Sequence, residues 1–173
     1  MDYKTKPTSR KDLRRYAPVL RKLFGVSSSG PFPVLLALDK ISDVFTGSCY
    51  TVVEDKKLPK NTMARCVPND MGGITIEIKE STYNGAYRGI GAYRGFICHE
   101  ICHIFLFNIG FVPVFDCNFE EGVIPAYCSV EWQAKALCAE VMIPYGESIG
   151  MRTKDLMQYY KVSKAIALNR VKM

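Results

Sequence analysis

The chain contains two histidines, four residues apart, with a glutamate directly after the first: His99-Glu100-Ile101-Cys102-His103. On a helix, residues four apart share one face, so both imidazoles can point at one metal ion. Glu100 is one step round from His99, so its carboxylate reaches the open side of such a metal without binding it. A metal there lowers the pKa of a bound water to about 7. Glu100 can then take the water's proton as it attacks a carbonyl, and return it to the leaving amine. The bland alternative is a pair of core histidines. That would bury Glu100 among Phe96, Ile101, Ile104 and Phe105 without a charge partner, which is costly.

A catalytic metal of this kind needs a third protein ligand and one open position. In one common arrangement a histidine follows six residues later, but that position is Ile109. A carboxylate from a second element is the remaining solution, and Glu120, Glu121, Glu131 and Glu140 are the candidates. Glu120 and Glu121 fall in an expected loop beside Gly122. Glu131 falls on an expected helix and leads only modestly on spacing. Nitrogen and oxygen ligands on a helix suit zinc.

The elements that must carry these residues are legible in outline. Residues 9–24 read as a basic amphipathic helix with Ser9 as N-cap and Gly25 as terminator. Residues 34–45, after Pro33, have helical apolar spacing. Residues 49–53, 63–67 and 74–79 read as strands. The last alternates Ile74, Ile76 and Ile78 with Thr75, Glu77 and Lys79, as a half-buried strand at a sheet edge does. That edge is a candidate for binding an extended peptide as an added strand. Residues 93–109 form the central helix, apolar nearly all round and so expected to be buried. A helix over 126–142, ended by Pro144, and two short helices around Val162 and Ser163 complete the order. Helices, a small sheet, then helices make an α+β layout.

The 173 residues suffice for one domain with a core, with residues 1–62 as N-terminal helices and first strand, 63–146 as the metal-site core and 147–173 as C-terminal helices. Lys plus Arg outnumber Asp plus Glu by 23 to 17, with the excess gathered in residues 4–22 and 152–172. The plain reading is a solvated basic surface; an acidic partner or nucleic acid is the alternative. The first residues have no apolar stretch of signal-peptide type, and the apolar run 96–114 is interrupted by His99, Glu100, His103 and Asn108. Neither secretion nor a membrane span is expected. The seven cysteines form no C-x-x-C pair, which suits free thiols in a reducing cytoplasm.

The chain resembles the ImmA/IrrE-type metallopeptidases. Their pattern is an Arg, an aromatic and H-E-[LI]-G-H, followed 25–30 residues later by E-x-x-A-N-x-F-A-A-E-L-L-M-P. Here the first part is Arg94-Gly95-Phe96-Ile97-Cys98-His99-Glu100-Ile101-Cys102-His103. The second is Glu131-Trp132-Gln133-Ala134-Lys135-Ala136-Leu137-Cys138-Ala139-Glu140-Val141-Met142-Ile143-Pro144. Residues 64–83 resemble the family's hairpin and edge strand, and Val162-Ser163-Lys164-Ala165 with Arg170 its C-terminal segment. The resemblance implies a zincin-like single domain with a small antiparallel-rich sheet packed on helices and the H-E-x-x-H helix buried at the centre. It implies one zinc held by His99, His103 and Glu131, with Glu100 as catalytic base. It implies a regulatory endopeptidase, of the kind bacteria, phages and mobile elements encode to cleave or inactivate a helix-turn-helix repressor. Three positions depart from the pattern: Cys102 replaces Gly, Phe107 replaces a frequent His, and Lys135 replaces Asn or Asp. A Lys cannot accept the hydrogen bond that an amide or acid there takes from a ligand histidine.

With both histidines used as ligands, an oxyanion must be met by Tyr, Arg or backbone N–H. Tyr127, Tyr145 and Arg94 are the sequence candidates. The rival function is a non-catalytic metal-containing module that binds a transcription regulator or DNA, since residues 156–171 have helix-turn-helix spacing in a basic tail.

Overall fold

The computed structural model describes residues 2–114 and 123–171. In chain order its elements are α1 (Arg10–Leu23), α2 (Val34–Asp39), α3 (Ile41–Val44), β1 (Cys49–Val53), β2 (Ala64–Pro68) and β3 (Ile74–Lys79). They continue with α4 (Glu80–Tyr87), α5 (Gly91–Asn108), α6 (Val130–Met142), α7 (Tyr145–Ser148), α8 (Thr153–Tyr160) and α9 (Lys164–Val171). The architecture is α+β.

Local signals explain most boundaries. Ser9 Oγ accepts from the Asp12 amide at 3.1 Å and starts α1; Gly25, at φ +68, ends it. The helix expected after Pro33 divides at Lys40, whose φ of −92 and ψ of 6 close α2 and open α3. The helix expected from residue 126 starts at Val130, because Ser129 caps it through the Trp132 amide and a short 3₁₀ turn precedes it. Helix α4 was not expected. Its N-cap is Lys79, which makes no side-chain cap bond, so the sequence carries no start signal; Asp55 caps the Ser81 amide from a distant loop.

The sheet corrects two expectations. Its order is β1-β3-β2, so β3 is the central strand and not an edge. β1 pairs with it in parallel, Cys49 opposite Thr75, and β2 antiparallel, Ala64 opposite Ile78. The sheet is therefore mixed rather than antiparallel-rich. Alternation reports that one face is buried but not how many neighbours a strand has, and both sides of β3 are paired. Ile76 and Ile78 turn inward into one core with α5.

Around α5 the layers close tightly. α6 lies against it, and α1 lies along α6. The α8–α9 corner, turned by Lys161 at φ 54, presses on the start of α5 at Gly91, where a Cβ would lie 2.3 Å from the Val162 carbonyl carbon. Among the described residues no helix is long and apolar enough to cross a membrane.

Two buried arginine centres fix these helices. Arg21 is fully buried and donates to the Ser27, Ser29, Gly30 and Val141 carbonyls at 2.6 to 2.9 Å. It ties α1 to the end of α6 and to the loop after Gly25. Glu140, also buried, accepts from Arg10 and Arg14 of α1 and Arg170 of α9. Replacing Arg21 with Met leaves four carbonyls without their donor. We expect urea denaturation to show a loss of about 3–5 kcal/mol, with Arg21→Lys recovering little because an ammonium cannot span the fork.

Candidate metal centre

Helix α5 is buried on most of its circumference and open along one stripe. Phe96, His99, His103 and Phe107 follow one another three and then four residues apart. Phe96 and Phe107, 43% and 44% exposed, frame the two half-buried imidazoles. The expectation of a helix buried all round is thus corrected on this side, where the polar groups sit.

α6 brings Glu131 to the stripe in its first turn. His99 Nε2 and His103 Nε2 are 3.0 Å apart. Glu131 Oε2 lies 3.3 Å from His99 Nε2, and Oε1 lies 3.3 Å from His103 Nε2. These three side chains offer ligand atoms within 4.8 Å of one another, and the group could hold a metal ion. Two imidazole nitrogens and a carboxylate are a donor set for a divalent transition metal.

The charges agree with the geometry. Hydrogen bonds from His103 and His99 hold the Glu131 carboxyl far below the usual carboxylate range, against the opposing effect of burial. For His99 burial is the largest influence and pulls downward, but Glu131 and Glu100 outweigh it and the imidazole ends above 6.5. Without metal the pair therefore stabilises the fold most between about pH 4.5 and 6.5. Above 6.5 the contribution fades as His99 loses its proton, and below 4.5 it fades as Glu131 gains one.

Glu100 is buried beside His99, and its carboxylate meets the Cys66 thiol and acts on the His99 imidazole. Its backbone carbonyl accepts from Cys66 Sγ of β2 at 3.4 Å. Lys135 Nζ, 72% exposed, stands 4.0 Å from Glu131 Oε2. Cys102 is fully buried, and that burial pushes its thiol well up and keeps it protonated.

The other sequence candidates separate. Glu140 is held by three arginines and is no part of the triad. Glu120 and Glu121 lie outside the described residues. Arg94 donates to the Phe32 carbonyl at 2.8 Å, and the Tyr145 ring lies 3.4 Å beneath the Arg14 guanidinium, so both have structural partners. Tyr127 is 55% exposed, four residues before Glu131. The sequence reading missed Asp2, Tyr3 and Ser129. Asp2 accepts from Ser129 Oγ at 2.7 Å and from the Glu131 amide at 3.2 Å. Ser129 three residues before Trp132 was a readable N-cap signal; Asp2 and Tyr3 act across more than a hundred residues and left none.

No family model matches the chain, and a search of curated proteins likewise finds no match.

Two outcomes test the electrostatics. With only two histidines, NMR resolves each ring: in metal-free protein His99 should titrate above 6.5, and Glu131→Gln should lower it, since the carboxylate that bonds it is then gone and Glu100 is left as the main group opposing burial. Lys135 competes with a cation for Glu131, so Lys135→Ala should tighten metal binding by about twofold to fivefold at low salt. That gain should vanish at high salt; competition titration with a chelator reads both.

Proposed function

We propose that this chain is a zinc-dependent endopeptidase of ImmA/IrrE type, with His99, His103 and Glu131 holding the metal and Glu100 as general base. The observation that carries the reading is the meeting of the two imidazoles and the Glu131 carboxylate. Ligand atoms bonded at about 2.0–2.1 Å to a tetrahedral zinc lie about 3.3–3.4 Å apart. The separations here are 3.0, 3.3 and 3.3 Å. Three protein ligands leave the fourth position for solvent or substrate, as catalytic rather than structural zinc requires.

A bound zinc supplies an activated water and a polarised substrate carbonyl. The protein's own groups do the rest. Glu100, which meets a weakly donating thiol in Cys66, accepts a proton from the attacking water and returns that proton to the leaving amine. β2 is an outer strand whose Cys66 touches the Glu100 carbonyl. Its free edge, not β3, is where an extended peptide would add as a strand beside the base. Phe96 and Phe107 present apolar surface on either side of the metal.

The substrate we propose is a helix-turn-helix repressor, on the strength of the two-part motif and its likeness to regulatory cytoplasmic metallopeptidases. Lys135, close to the ligand carboxylate, favours the rival reading of a module that binds a regulator without cutting it. Direct DNA binding has less support, because α9 turns Ala167 and Arg170 into the protein.

The test uses zinc-loaded protein and a helix-turn-helix repressor sought among the genes that flank its own. We expect cleavage at one site, and Glu100→Gln should slow it by about 10²–10⁴-fold with zinc content unchanged. An intact repressor, or equal cleavage by Glu100→Gln, sinks the peptidase reading; capture without cleavage supports the rival.

A further inference from the structure

The residues described so far bind a metal and move a proton, but none donates a hydrogen bond to the oxygen of a carbonyl seated at the open face. Both histidines are ligands, Arg94 Nη2 donates to the Phe32 carbonyl, and the Tyr145 ring lies under Arg14. We infer that the Tyr3 hydroxyl is this donor, an inference that rests on the metalloenzyme reading above.

The backbone puts Tyr3 at the site. Residues 2–8 run beside residues 127–131. The Val130 amide donates to the Tyr3 carbonyl at 3.2 Å, Lys4 bridges Ser129, and the Thr5 and Thr8 amides donate to the Cys128 and Tyr127 carbonyls at 2.8 and 2.9 Å. The neighbouring Asp2 carboxylate holds the Glu131 amide itself. Tyr3 is thus fixed against the turn of α6 that carries the third ligand.

The phenol points the same way. The ionisable groups acting on it are Cys66, Glu131 and Asp2. Cys66 lies on β2 over the Glu100 backbone, and Glu131 lies on α6. The ring is thus within electrostatic reach of both β2 and the third member of the triad. Its hydroxyl donates to the Phe111 carbonyl at 3.4 Å, a long bond that releases easily for a better acceptor.

The test needs no natural substrate. The full chain is stripped of metal, loaded with cobalt(II) and titrated with acetohydroxamate, whose oxygens occupy the open face, while the visible cobalt bands report the metal. Tyr3→Phe should take up one cobalt with unchanged affinity and spectrum, yet bind acetohydroxamate about tenfold more weakly, or about 1.4 kcal/mol. 3-Fluorotyrosine placed at position 3 keeps the shape and strengthens the donor, so it should tighten binding; it also answers the question if Tyr3→Phe folds poorly. Equal or tighter hydroxamate binding by Tyr3→Phe overturns the assignment, tighter binding marking Tyr3 as a mere cover. Loss of cobalt uptake in Tyr3→Phe also overturns it, by making Tyr3 a support for Glu131. Absence of cobalt uptake in the parent protein defeats the metal-centre reading and this inference with it.

Discussion

A carboxylate on one helix must sit within 3.3 Å of two imidazoles on another, and this requirement fixes α6 against α5 more strictly than apolar packing alone would. A shift of about 1 Å would break the triad, so α6 must be held along its whole length. Its start is held by Asp2 through Ser129 and the Glu131 amide. One turn on, Gln133 donates to the Lys6 and Tyr127 carbonyls. Cys138 reaches the Gly95 carbonyl of α5. Further on, Glu140 meets three arginines, and the end is held by Arg21 on Val141 and Arg170 on Ala139 and Ile143. The N-terminal segment, α1, α5 and α9 each contribute a clamp.

These clamps change the meaning of the basic charge. By composition the excess of Lys and Arg reads as a solvated surface or a site for an acidic partner. Yet Arg10, Arg14, Arg21 and Arg170, from the two basic stretches, are directed at α6 or at carbonyls around it. Around Glu140, burial alone would raise the carboxyl, but Arg170, Arg10 and Arg14 outweigh it and hold the group ionised. Three guanidiniums about one buried carboxylate form a network that is costly to desolvate and costlier to break. Its value here is in setting one position for α6 among several that apolar packing would accept.

The sequence made visible what short-range chemistry determines. β1 and β3 have the expected bounds, the H-E-x-x-H motif is on a helix as its spacing required, and Ser9 and Gly25 delimit α1. Glu131 came from the resemblance more than from spacing, and geometry now separates it from Glu140, which an equally simple reading left open. What escaped depends on partners far along the chain. The place of β3 in the sheet depends on β1 choosing its other side. α4 is capped by Asp55, not by its own neighbour. Asp2 and Tyr3 reach α6 only because the start of the chain returns to it. No periodicity encodes these pairings, since each residue is ordinary in its local context.

Glu100 and Glu140 show two ways in which this fold surrounds a buried carboxylate. Glu100 lies on α5, where its carboxylate meets the weakly donating Cys66 thiol and the His99 imidazole. A thiol offsets little of the cost of burying a carboxylate, and an apolar residue of similar volume would avoid that cost. The neighbouring carboxylate Glu140 displays the structural solution this fold uses elsewhere, with three guanidiniums around it. Glu100 has a thiol and an imidazole in place of guanidiniums, and it adjoins the triad of His99, His103 and Glu131, so the fold treats its two buried carboxylates differently.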